Sequence, residues 1–148
     1  VSVLVATTGD ATKGHEVFKN VCSTCHQIGA DGTSFGPDLS EIGGKLPKEG
    51  IYNAILFPDQ GINFGYEGYR FELKDGTTAM GKIVSETADK IDLQYMAAQQ
   101  TIDKAQVVSR TKMESSMMPG NLQSLMSQQD LVDLVEYLSG LKKAVASR

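Results

Sequence analysis

From Asp10 to Cys22, Gly14, Val17, Phe18 and Val21 recur at three- and four-residue spacing. This pattern predicts a helix with Asp10 as its N-cap. A glycine inside a helix costs about 1 kcal/mol relative to alanine, so a close helix crossing is expected at Gly14. A polar, glycine-rich loop follows over 28–47, and then a short helix from Lys48 to Phe57, stopped by Pro58. From Tyr66 to Val108 the period changes to two. Tyr69, Phe71 and Leu73 alternate with Arg70, Glu72 and Lys74, and Asp75-Gly76 supplies a hairpin turn. The segments 77–84, 90–96 and that around Ile102 read as two or three further strands of an antiparallel meander, with 85–89 as a turn. The chain then returns to helix. Ser127 and Asp130 have capping-box spacing, and behind them Leu131, Leu134, Val135, Leu138 and Leu141 form an apolar stripe beside Tyr137. The apolar opening, Val1 to Ala6, lacks a basic flank. It is compatible with a processed stub, a cut inside a longer protein or a short ordered segment.

A length of 148 residues suits one domain, and 41% hydrophobic with 22% charged residues is a globular profile. No apolar run approaches the ~20 residues of a membrane helix. A net charge of −4 argues against nucleic acid as a partner. Glu114, Asp130, Asp133 and Glu136 fall between Met113 and Leu141 without a Lys or Arg, so this segment carries the whole imbalance. A solvated helix face is the expected reading, with a docking surface for a basic partner as the alternative.

The chemistry concentrates in Cys22-Ser23-Thr24-Cys25-His26. Two thiols one helical turn apart can reach the two vinyl groups on one edge of a haem, and the following histidine is then held beneath the iron. This spacing is the signature of c-type haem attachment. A redox dithiol would open a helix after a strand, whereas this pair closes one. A structural zinc ion needs four ligands. The chain has two Cys and two His, and the second histidine, His15, lies two turns earlier on the same helix. His15 is expected on the surface, with a bis-histidine haem as the minor alternative.

The spacing of Gly14, Phe18 and Cys22, together with Leu134 and Tyr137, resembles the class I c-type cytochrome pattern, in which the first and last helices cross. Phe35-Gly36-Pro37-Asp38-Leu39 resembles that family's proximal loop, and Met117-Met118-Pro119-Gly120 its methionine segment. The resemblance implies a mainly α cytochrome c fold, with N-terminal, middle and C-terminal helices around one covalent haem c and a small β-meander inserted at about 66–108. It implies Cys22 and Cys25 as thioether carriers, His26 as one axial ligand with Pro37 accepting its second N–H, and Met118 as the other. Pro119 holds Met118 extended, so Met117 and Met118 face opposite sides. Met80, Met96, Met113 and Met126 are assigned to packing. The strings at 56–58, 74–76, 85–87 and 117–120 resemble a subgroup of haem-binding domains that carry a β insertion and are often fused to propeller-type dehydrogenases. The implied role is single-electron transfer, without catalysis, between redox donor and acceptor proteins or a fused dehydrogenase, in a periplasmic or exported location. A haem sensor or haem enzyme with an open distal site is the alternative. The insertion is expected to pack at the haem's edge without supplying a ligand.

Overall fold

A computed structural model describes residues 1–143. The elements run in the order α1 (Ser2–Val5), α2 (Ala11–Val17, continued by a π-turn over Phe18–Cys22), β1 (Gln27–Ile28), β2 (Asp31–Gly32), α3 (Ile42–Lys45), α4 (Lys48–Leu56), β3 (Gly68–Leu73), β4 (Thr78–Glu86), β5 (Lys90–Tyr95), β6 (Ala98–Asp103), β7 (Val107–Lys112) and α5 (Gln128–Ser139). None of the helices among the described residues is long and apolar enough to cross a membrane.

The first and last long helices cross where the sequence places a residue without a side chain. A Cβ on Gly14 would overlap the Asp133 carbonyl and stand 2.8 Å from Tyr137 Cβ. Phe18, one turn on, is fully buried with Ile51, Tyr52 and Ile55 of α4 and Leu131, Leu134, Val135 and Leu138 of α5. The predicted caps are present. Asp10 accepts from the Thr12 and Lys13 amides, and Ser127 and Asp130 close a reciprocal box. The opening segment is an ordered turn of helix, with Leu4 and Val5 against the helical core and Tyr52 Oη donating to the Leu4 carbonyl at 3.3 Å.

The expectation of a mainly α chain is overturned. Helix accounts for 36% and strand for 26%, and the strands form a five-stranded antiparallel sheet ordered β6-β5-β4-β3-β7. The sheet has its own core of Phe71, Ala79, Ile91, Leu93 and Ile102, separate from the helical one. It is also larger than expected, running to Lys112 rather than ending at 108. The unpredicted fifth strand, β7, is an edge strand whose residues are mostly exposed, Val108 among them, so it lacks the apolar alternation that marks its neighbours. It returns to pair with β3, Tyr69 facing Lys112, so the sheet is not a simple meander.

The reading of a solvated acidic face is corrected at Asp133, while Glu114 is exposed as expected. Asp133 is only 2% exposed, and its Oδ1 accepts from the Asp10 amide at 2.8 Å and from Gln129 Nε2 at 2.8 Å. Glu136 is paired with Lys48 of α4. Asp133 ties α5 to the start of α2, which the glycine crossing brings within reach, and Glu136 ties α5 to α4. Met80, expected as core, is 38% exposed.

Gly14→Ala should force the two helices apart and cost ~1–3 kcal/mol, the usual range for overpacking. Thermal unfolding checks this, and an unchanged melting temperature would mean that the crossing yields without strain.

Candidate functional site

Helix α2 reaches Cys22 through the π-turn, closed by the Ser23 amide on the Phe18 carbonyl at 3.0 Å. A tight turn follows, in which the amides of Cys25 and His26 both donate to the Cys22 carbonyl, at 3.1 and 2.9 Å. The strand pair β1–β2 then folds the chain back. The Thr33 amide reaches the carbonyls of Ser23 and His26, and the amides of Phe35 and Gly36 donate to the Cys25 carbonyl at 3.2 and 2.6 Å. The loop after the motif is thus fastened directly onto it.

That loop carries the partner of His26. The imidazole Nδ1 lies 2.7 Å from the Pro37 carbonyl oxygen. A carbonyl only accepts, so Nδ1 carries the proton and Nε2 is left with its lone pair. Burial lowers the His26 pKa below the usual histidine value, and the Pro37 carbonyl offsets this in part by favouring the protonated ring. Burial therefore favours the neutral ring, and the bond to Pro37 orients it. Gly36 lies flush against it, since a Cβ there would fall 2.7 Å from His26 Cε1 and 2.9 Å from Nδ1.

Both cysteines are free thiols. Burial pushes Cys22 up to about 11, with a smaller contribution from the neighbouring Cys25, and burial raises Cys25 as well. Reactive redox thiols have lowered values, so this pair is not built as a thiolate nucleophile. Among the described residues no three His, Cys, Asp or Glu side chains gather as a metal site made by protein alone. His15 is half-buried and stacks on Tyr137 with ring centroids 4.8 Å apart, so it takes part in the packing of the helix crossing.

The two neighbouring methionines part company. Met118 packs against the same helical core as Cys22, Ile28 and Leu39. Met117 turns to the sheet, where its Cγ would lie 2.9 Å from a Cβ on Gly68, beside Met113 Sδ at the same distance. The Met118 amide is held by Ser116 Oγ at 3.0 Å, and the Ser116 amide by Asp59 Oδ1 at 2.6 Å. Sequence reasoning missed Asp59 and Ser116, which stabilise this loop, since neither stands in a recognisable spacing. It also missed the contacts that the sheet makes with the proximal loop.

The family model for Cytochrome c matches residues 11–73, which span α2, the cysteine motif, the Pro37 loop, α4 and β3, and end before the rest of the sheet and the methionine loop. No curated protein matches the chain. The cofactor that the match brings is a covalently bound haem c, and the role it supports is haem-based electron transfer. The residues present suit that group: two free thiols a turn apart, an imidazole held through Nδ1, and a glycine that lets the Pro37 loop lie against the ring.

Acid–acetone extraction should leave the colour with the wild-type chain, whereas replacing both Cys22 and Cys25 with Ala should make the haem extractable or absent. Gly36→Ala should keep both attachments yet displace the His26 ring from Pro37, at ~1–3 kcal/mol in thermal stability. A G36A protein with wild-type melting and visible spectrum would show that the loop relaxes freely around the methyl group.

Proposed function

We propose that this chain carries single electrons through one haem c with His26 and Met118 as axial ligands. The observation that carries the reading is the state of His26: a neutral ring fixed through Nδ1 to Pro37, with Nε2 free, on the turn that also presents both thiols. When bound, the haem would supply one-electron chemistry at its iron. The chain's part is to hold that cofactor so that the exchange requires little rearrangement. Cys22 and Cys25 fix one edge of it by thioether bonds. Pro37 prevents rotation of the imidazole and raises its basicity. The apolar residues that Cys22 packs against would keep water from the cofactor, which would disfavour the extra charge of the ferric state and raise the potential.

Met118 is supported by packing as well as by backbone chemistry. It faces the helical core that Cys22 also packs against, while Met117 faces Gly68 of the sheet. Pro119 disfavours a helical conformation at Met118, so the two side chains diverge. Redox donor and acceptor proteins, or a dehydrogenase fused to this chain, are the proposed partners. The proposed location is periplasmic or exported, because thioether attachment in bacteria is completed outside the cytoplasmic membrane.

Met118→Ala should abolish the weak near-infrared band of methionine-ligated ferric haem, lower the potential and open the iron to carbon monoxide. Met117→Ala should leave all three nearly unchanged, at a packing cost of ~2–5 kcal/mol if its contact with the sheet is fully lost. The reverse pattern would move the ligand to Met117, and no response in either variant would end His/Met ligation as the reading.

A further inference from the structure

The inserted sheet grips the loop that carries Pro37. From β4, Lys82 Nζ donates to the Phe35 carbonyl at 2.8 Å, with the ammonium 4.8 Å from the centroid of the Tyr66 ring and 5.6 Å from that of Phe35. From β5, Gln94 Nε2 donates to the Ser34 carbonyl at 2.9 Å and to the Met96 carbonyl at 2.9 Å. Next to it Tyr95 meets the Phe35 ring edge-on, centroids 5.8 Å apart. Gln94 and Phe35 are both buried. Burial pushes the Lys82 pKa below the usual lysine range, as expected of a cation held among rings and a carbonyl rather than in water.

These contacts converge on consecutive carbonyls. Ser34 is held by Gln94, Phe35 by Lys82, and Pro37, two residues on, accepts from His26. On its other side the loop is tied to the haem motif through the amides of Phe35 and Gly36. A free loop would lose conformational entropy for each residue so ordered. The sheet, with a core of its own, supplies donors that are already fixed.

We propose that Lys82 and Gln94 are positioning residues for His26, holding the 34–37 loop so that the Pro37 carbonyl stays on the imidazole and sets how strongly that ring donates to the iron. The inference rests on the reading of His26 as an axial ligand. A firm bond to Nδ1–H raises ligand basicity and favours the ferric state. The insertion would then be a device for setting the potential rather than an ornament at the edge of the fold.

The test uses the intact holoprotein, with its midpoint potential and the solvent-exchange rate of the His26 ring N–H in the reduced form as readouts. Gln94→Leu removes the donor without changing charge. It should accelerate ring N–H exchange ~3–10-fold, the equivalent of one weakened hydrogen bond, and raise the potential. Lys82→Met should accelerate exchange similarly but give a potential below that of Q94L, because a cation that disfavours the ferric charge has also gone. Lys82→Arg should restore both values towards wild type, and Lys90→Met, at an exposed lysine of the same sheet, should change neither. Gln94→Ser serves if the leucine variant does not accumulate as holoprotein. Wild-type exchange in Q94L (or Q94S) and K82M, with low-spin haem retained, would overturn the proposal. Wild-type protein without low-spin, covalently held haem would instead overturn the axial-ligand reading, so the two failures are distinct.

Discussion

Which nitrogen of a neutral histidine keeps its lone pair, and where that lone pair points, are set by the bond the other nitrogen makes; here that bond is the 2.7 Å contact of His26 Nδ1 with the Pro37 carbonyl. Most of the architecture can be read as the means of keeping that bond. The Pro37 loop has to lie against the cysteine–histidine turn, which the amides of Phe35 and Gly36 achieve. It has to approach the ring closely, which only a glycine at 36 allows. It also has to resist displacement, and for this it is fastened on its far side to a sheet.

The helical half meets a different requirement, a tight crossing between two ends of the chain. Gly14 removes the side chain that would keep α2 and α5 apart, and the closeness this permits brings Asp133 to the Asp10 amide. That bond satisfies one of the unpaired donors at a helix start and gives a buried carboxylate its partners. Asp10 in turn caps α2 with its own side chain. Capping, crossing and charge burial at this point are one arrangement.

The sequence makes the local chemistry legible: the cap at Asp10, the box at Ser127 and Asp130, the Asp75-Gly76 turn, and the cysteine–histidine string all have short-range signatures. Pro37 and the contrast between Met117 and Met118 are legible through resemblance and through the effect of Pro119 on the backbone. What stays hidden lacks periodicity or joins distant residues. Strand β7 is exposed on most of its length and so resembles a loop, which leaves the sheet one strand short in the sequence. Asp133 reads as solvated because an apolar stripe alone does not say how close the next helix comes. Lys82 and Gln94 are polar residues on strands, and their partners Phe35 and Ser34 stand 47 and 60 positions away. Nothing in a window of neighbouring residues marks such a pair.

Strands β3 and β7 are neighbours in the sheet, and just beyond their pairing the Met113 amide donates to the Gly68 carbonyl at 2.8 Å. The chain therefore leaves the sheet where it entered. Bringing the ends of a flexible segment together costs entropy that grows with the logarithm of its length. Once the hairpins have zipped, however, the path from Gly68 to Met113 behaves as a connection of almost no length. For the search that brings α2 onto α5, the intervening strands then add little delay. A contact as distant in sequence as Asp10 with Asp133 becomes, kinetically, a much more local one.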